Sequence, residues 1–317
     1  MATSDRSELQ PGIPVLPATA DTTAIALPLI EEQRVKQTSL LKDALYRLFR
    51  NKLAVLGLAF ILLVLFCAVF ANFISPYGFA EKVPGDFYRT RPNYWFVFGT
   101  DNVGRDVFTR IVYGARTSMI VGFGSVALQL VIGIFIGAVA GYFAGNTDTG
   151  LMRVTDLFNT LPPLLIAIIL LAAFGPSIFN IVFAISITSW VTIARLTRGQ
   201  LLSLRELDYI KAARTAGAGG TYIIMRHLLP NTLTPLIVST TFAIPTAIFA
   251  EAFLSFIGIG IRPPNPSWGD MVADGQQFLR SDPHLAIIPI VCVMLTMLAF
   301  VMLGYGLRDA LDPKGNN

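Results

Sequence analysis

The segment DYIKAARTAGAGGTYIIMRHLLPN, residues Asp208 to Asn231, places charges, small residues and helix punctuation between two long apolar runs. At about 100° per residue, Tyr209, Ala212, Ala213 and Ala216 share one helix face, while Asp208, Lys211, Arg214 and Thr215 point the other way. Ser203 and Glu206 have capping-box spacing, which starts this helix just after Ser203. Gly217 supplies the positive φ that ends it. Gly219 and Gly220 permit a further turn, and Thr221 is placed to N-cap a second short helix that stops near Pro230. The expectation is an elbow of two short helices over 203–230. Its alanine face would let another backbone approach closely. The same pattern also suits an amphipathic connector resting on a lipid surface.

Around this elbow the chain is apolar. Of 317 residues, 54% are hydrophobic and 14% charged, and the mean hydropathy is +0.62. Soluble domains carry about a quarter charged residues, so the chain reads as an all-α, multispan membrane protein. The net charge of +4 reports topology rather than affinity for nucleic acid. Cys67 and Cys292 lie within apolar runs and read as packing residues.

Residues 1–39 are polar and proline-dotted and read as a flexible cytoplasmic tail. Residues 40–52, with Lys42, Arg47, Arg50 and Lys52, form a basic amphipathic lead-in along the inner membrane surface. Residues 53–317 form the membrane domain. Its six apolar stretches, about 53–74, 118–143, 154–174, 178–196, 233–257 and 285–304, are long enough to span. Basic residues before the first stretch and Arg195, Arg198 and Arg205 after the fourth put both termini and the elbow in the cytoplasm. The polar segment 75–116 lies outside despite Lys82, Arg89, Arg91, Arg105, Arg110 and Arg116, with Asp101 and Asp106 offsetting some of that charge.

Several residues inside or beside the spans invite two readings. Gly133, Gly137 and Gly141 make a small-xxx-small ridge for helix packing. Pro162 and Pro163 interrupt the third stretch, and Pro235 and Pro245 lie in the fifth, where kinks expose carbonyls to a passage or a neighbour. Glu251 is a carboxylate well inside an apolar run, which costs about 2.5 to 3.5 kcal/mol on insertion scales unless it faces the bundle or water. It reads either as a group on a substrate route or as a hydrogen-bonded carboxyl near the outer interface. Asp101 is placed to cap a surface helix, and Trp268 suits the headgroup layer.

Ala212-Ala213, Gly217 and Leu229-Pro230 resemble the E-A-A, three residues, G, nine residues, I, one residue, L-P loop of permease subunits in binding-protein-dependent ABC importers. Lys211 stands in place of the family's glutamate and His227 in place of its isoleucine. GTDNVGRD (Gly99–Asp106), PNPSWGDM (Pro264–Met271) and LRDALDP (Leu307–Pro313) are similar to blocks of the dipeptide and oligopeptide branch, C-type subunit. The resemblance implies a type I importer permease with six transmembrane helices and a cytoplasmic coupling helix. Its ATPase-docking positions would be Tyr209, Lys211, Ala212, Ala213, Ala216, Gly217, Arg226 and Pro230. The candidate pathway or gate positions, read from the residues themselves, are Glu251, Pro162, Pro163 and Pro245.

The resemblance also implies a second homologous permease, two ATPase subunits, an extracytoplasmic solute-binding protein and a peptide substrate. ATP and magnesium would be bound by the ATPase partners. No G-K-[ST] phosphate loop occurs in this chain, and His227 and His284 are isolated, so neither a cofactor nor a metal is expected on it. The competing class is a secondary transporter working alone, for which Glu251 is the candidate coupling group.

Overall fold

In the computed structural model, residues 40–85 and 87–311 are described, with side chains from residue 44 onward. The expected tail 1–39 and the end of the LRDALDP block lie outside them. The described residues from 44 to 311 form one compact unit.

The elements are helices: α1 (Leu40–Arg50), α2 (Lys52–Val69), α3 (Ala71–Ile74), α4 (Val107–Phe143), α5 (Gly145–Thr160), α6 (Pro163–Phe174), α7 (Ile178–Ser189), α8 (Val191–Leu204), α9 (Asp208–Thr215), α10 (Gly220–Ile223), α11 (Leu229–Phe256), α12 (Trp268–Gln276) and α13 (His284–Leu311). Between α10 and α11 lies one π-helical turn, Ile224–Leu228.

Among the described residues, four helical runs are long and apolar enough to cross a membrane unaided: α2, α4, the run from Gly220 to Phe256, and α13. The other two expected spans are bent pairs, α5 with α6 at 83° and α7 with α8 at 46°. At the first bend Pro162 has no N–H to give, and Leu161 before it is held extended at ψ 134°. The expected kink is therefore a break. By contrast α11 passes through Pro235 and Pro245 as an unbroken helix.

Several expected boundaries shift. The second span begins at Val107, eleven residues before the start read from hydropathy, because its first turns are buried within the protein and Arg110 there is paired with carboxylates. Its N-cap is Asp106, whose carboxylate accepts from Thr109 N–H at 2.8 Å. Asp101 is not the cap. Trp268 is not a headgroup anchor either: it is buried, and its indole N–H donates to the Ile111 carbonyl at 3.0 Å. Ser267, one residue earlier, caps α12, a helix that the Gly- and Pro-rich sequence around it concealed.

The glycine ridge packs closely against α8. A Cβ at Gly133 would lie 2.7 Å from Ile193, and one at Gly141 would lie 2.8 Å from Leu201. At Gly137 it would press on the Ala194 carbonyl oxygen, which is backbone and cannot swing aside. Close approach of two backbones is what the small residues permit. α5 is tied to α8 by Arg195 with Asp156, at 2.6 Å, and by Arg198 with Asp148. These pairs and the glycine ridge hold the end of the bundle from which the elbow hangs.

Candidate functional site

The elbow differs in construction from the one read off the sequence. α8 runs on to Leu204, and the Ser203 hydroxyl donates back to the Gly199 carbonyl at 3.2 Å. No capping box forms. α9 begins at Asp208 behind Leu207, which offers no side-chain cap. Glu206 instead lies 3.1 Å from Arg205 and 3.9 Å from Lys211, both contacts exposed. Gly217 ends the helix at φ +85°.

The second half is not a helix that stops at Pro230. α10, the π-turn and α11 are continuous, and Gly219 rather than Thr221 is the N-cap. In the wider π-turn the Leu229 N–H reaches the Ile224 carbonyl. This widens the helix where the Pro230 ring would otherwise strike the preceding turn. The Asn231 side-chain amide covers the His227 carbonyl at 2.6 Å.

One residue absent from the expected set holds the elbow in place. Ile210 is fully buried in a cluster with Ala138, Leu201, Ile223 and Leu228. α9 therefore has its anchor face at Ile210, and Tyr209, Lys211, Ala212 and Ala216 are exposed, with Ala213 half-buried. Arg226 and Pro230 are exposed on the return limb. The elbow is braced further where Tyr142 packs on Gly220 and Arg214 lies 5.7 Å over the Tyr142 ring. A single isoleucine in an exposed octapeptide gives too short a period to read from sequence.

The candidate pathway residues separate. Pro163 lines a cavity of about 470 Å³ between α4, the α5–α6 and α7–α8 bends and α11. Its lining is uncharged throughout and includes Gln129, Thr188, Ser239 and Thr246. Pro162 sits at the corner itself as the N-cap of α6. Pro245 and Glu251 are buried and lie outside the lining. Glu251 accepts hydrogen bonds from Ser118 at 3.0 Å and Ser255 at 2.8 Å, joining α4 to α11. That is the geometry of a buried hydrogen-bonded carboxyl.

At the end of the bundle opposite the elbow, the GTDNVGRD block packs against α12. Asp101 accepts from Arg105 Nε at 2.7 Å, and fully buried Arg110 lies 3.7 Å from Asp101, 3.3 Å from Asp270 and 4.0 Å from Asp274. Burial first, and then the neighbouring Asp274, push the Asp270 carboxyl up to about 6, against the opposing pull of Arg110. Two of the outward arginines are thus spent inside the protein. Among the described residues no group of His, Cys, Asp and Glu has the arrangement of a metal site.

The fold and this elbow define the transmembrane part of a transporter. Residues 133–316 match the family described as binding-protein-dependent transport system inner membrane component, and the chain belongs to that family. It is a multi-pass inner-membrane permease with the type I importer fold. Residues 39–92 match the N-terminal transmembrane domain of oligopeptide transport permease C.

Similar proteins include the oligopeptide transport system permease protein OppC of Bacillus subtilis (strain 168), 40% identical over 88% of this chain and 91% of that protein. The dipeptide transport system permease protein DppC of the same organism is 42% identical over 90% and 89%. A glutathione transport system permease protein GsiD of Pectobacterium atrosepticum is 38% identical over 91% and 95%. In fold, the chain is similar to the inward-facing MetNI methionine ABC transporter, with a TM-score of 0.54 at 17% identity over 65% of this chain and 97% of that one.

Proposed function

We propose that this chain is the permease subunit of an ATP-driven importer of dipeptides and oligopeptides. It pairs with a second homologous permease, two ATPase subunits and an extracytoplasmic binding protein, and both termini are cytoplasmic. ATP and magnesium belong to the ATPase partners. The substrate class rests on the names of the similar permeases, and an uncharged cavity suits molecules whose side chains vary.

The observation that carries the mechanism is the construction of the elbow. Ala212 and Ala216 are exposed where a partner can seat closely, while Ile210 on the other face of the same helix is locked into α4 and α8. A push on α9 therefore reaches the packed bundle rather than dissipating in a loop. Closure of the ATPase pair moves the elbow, and the breaks at Pro162 and Trp190 let the half-helices α6 and α7 swing to open the cavity on alternate sides. Lys211, exposed in place of the family's carboxylate, meets the partner with a positive charge.

Cysteines placed at Ala212 or Ala216 should crosslink to an ATPase subunit in the assembled transporter, with a yield that changes between nucleotide-free and ATP-trapped states. Failure of either position to crosslink under any condition would remove the docking role.

A further inference from the structure

The segment 75–98 rests on the ends of the spanning helices opposite the elbow. Phe96 is buried against Tyr77, ring centroids 6.5 Å apart, just past the end of α3, and against Phe87 at 5.4 Å. Tyr113 in the first turns of α4 donates to Asn72 at 2.9 Å, and Arg116 donates to the carbonyls of Ala68 and Val69 at the end of α2. On the other side, Arg89 pairs with Asp282 at 3.5 Å, and Gly99 packs against His284, the first residue of α13. The segment is thus pinned level with the ends of α2, α4 and α13.

From this base one turn projects. The Asn93 carboxamide oxygen accepts from Trp95 N–H at 2.8 Å and Phe96 N–H at 3.0 Å, its amide donates to the Arg91 carbonyl at 3.1 Å, and Asn93 N–H reaches the Phe96 carbonyl at 2.9 Å. These bonds fix Tyr94 and Trp95 at the tip, 93% and 82% exposed, edge to face with ring centroids 5.7 Å apart. Rigid presentation of two aromatics to water is unfavourable unless something covers them.

A row of exposed aromatics, Phe66, Phe70 and Phe73, leads up the outside of α2 and α3 to this level, consecutive rings 4.7 and 6.3 Å apart. That row is apolar and suits acyl chains. Tyr and Trp, each with a polar handle on an apolar ring, suit the layer above it. Exposed Arg91 lies two residues before Asn93 and exposed Lys82 further back in the same segment, and cations of this kind favour anionic headgroups.

We infer that the Asn93 turn is a membrane anchor, in which Tyr94 and Trp95 enter the lipid headgroup layer beside the ends of α2 and α13, next to anionic lipid. The anchor fixes the depth and tilt of α2 against the bilayer, and with it the frame against which the bent helices move. It requires no particular transported solute.

Trp95 makes the test clean, because Trp190 and Trp268 are both buried. The assembled transporter is placed in nanodiscs of phosphatidylcholine with or without phosphatidylglycerol. Its Trp95 emission is taken as wild type minus W95F. Lipids brominated near the headgroup should quench roughly half of that difference emission in anionic discs, about twofold more than in neutral ones, and iodide should not. Free access of iodide with no bromolipid quenching would overturn the proposal. So would shielding of Trp95 that appears only after the soluble binding protein is added, since the turn would then belong to a protein interface.

Discussion

Replacing Ile210 by alanine should unpin the elbow while leaving its exposed face intact. Ile210 is fully buried among Ala138, Leu201, Ile223 and Leu228, and truncation of a buried isoleucine to alanine costs about 2 to 5 kcal/mol, depending on how far the site collapses. The cavity is walled by α4, α8 and the helical turns beyond α10, which are held by the glycine ridge and cannot close around it. A cost of about 3 kcal/mol is then reasonable. At 1.4 kcal/mol per decade, it multiplies the population with α9 detached about 100-fold.

The readout is amide hydrogen exchange. Ile210 and Lys211 N–H are bonded to the Leu207 carbonyl at 3.0 and 3.2 Å, and Ala216 N–H to that of Ala212 at 3.0 Å. Protection of these amides should fall about 100-fold in I210A if detachment and fraying of α9 are one event. In the reconstituted transporter, ATP hydrolysis should persist while uptake falls with the lost mechanical link. Tyr209→Ala, half-exposed on the same helix, should leave exchange unchanged. Protection in I210A within about threefold of wild type would show that the contacts of Gly220 and Arg214 with Tyr142 hold the elbow alone, and the reasoning above would fail.

Two glycine substitutions separate packing from backbone conformation. Gly137→Ala should destabilise the solubilised protein by about 1 to 3 kcal/mol, since the new Cβ meets backbone. Gly217→Ala, with open space but φ +85°, should cost about 1 kcal/mol locally and leave the global melting temperature unchanged. Equal melting shifts for the two would refute the distinction.

Glu251→Gln keeps one oxygen to accept from one serine and an amide N–H to donate to the other hydroxyl, and should be near neutral, whereas Glu251→Leu orphans both buried hydroxyls and should cost about 2 kcal/mol. A thermal-melt series in which the leucine variant is the more stable one would contradict this.

The Asp270 carboxyl, at about 6 against an ordinary 3.8, is raised. Its ionisation thus weakens the fold above about pH 6, and stability is regained as pH falls through that value. The groups facing it are Asp274, Arg110, Arg105 and Asp101. Asp274→Asn should therefore shift the melting temperature more favourably at pH 7.5, where Asp270 is ionised, than at pH 5; the opposite order would reverse the sign argued here.

The transmembrane class and the bend at Gly217 were legible in the sequence because each depends on local quantities: run length, the small-residue period, and punctuation by Gly217. The glycine ridge was readable for the same reason, since its four-residue spacing states that something must come close. What comes close, α8, is a fact of tertiary structure. Tertiary contact also decided that Asp106 rather than Asp101 caps α4, and that Trp268 is buried and hydrogen-bonded to α4. It settled the place of Ser203 inside α8 and the placement of Glu251 between two serines outside the cavity. In each of these cases a polar or aromatic group had several local uses of similar energy. The choice fell to a partner distant in the chain, which hydropathy and spacing do not encode.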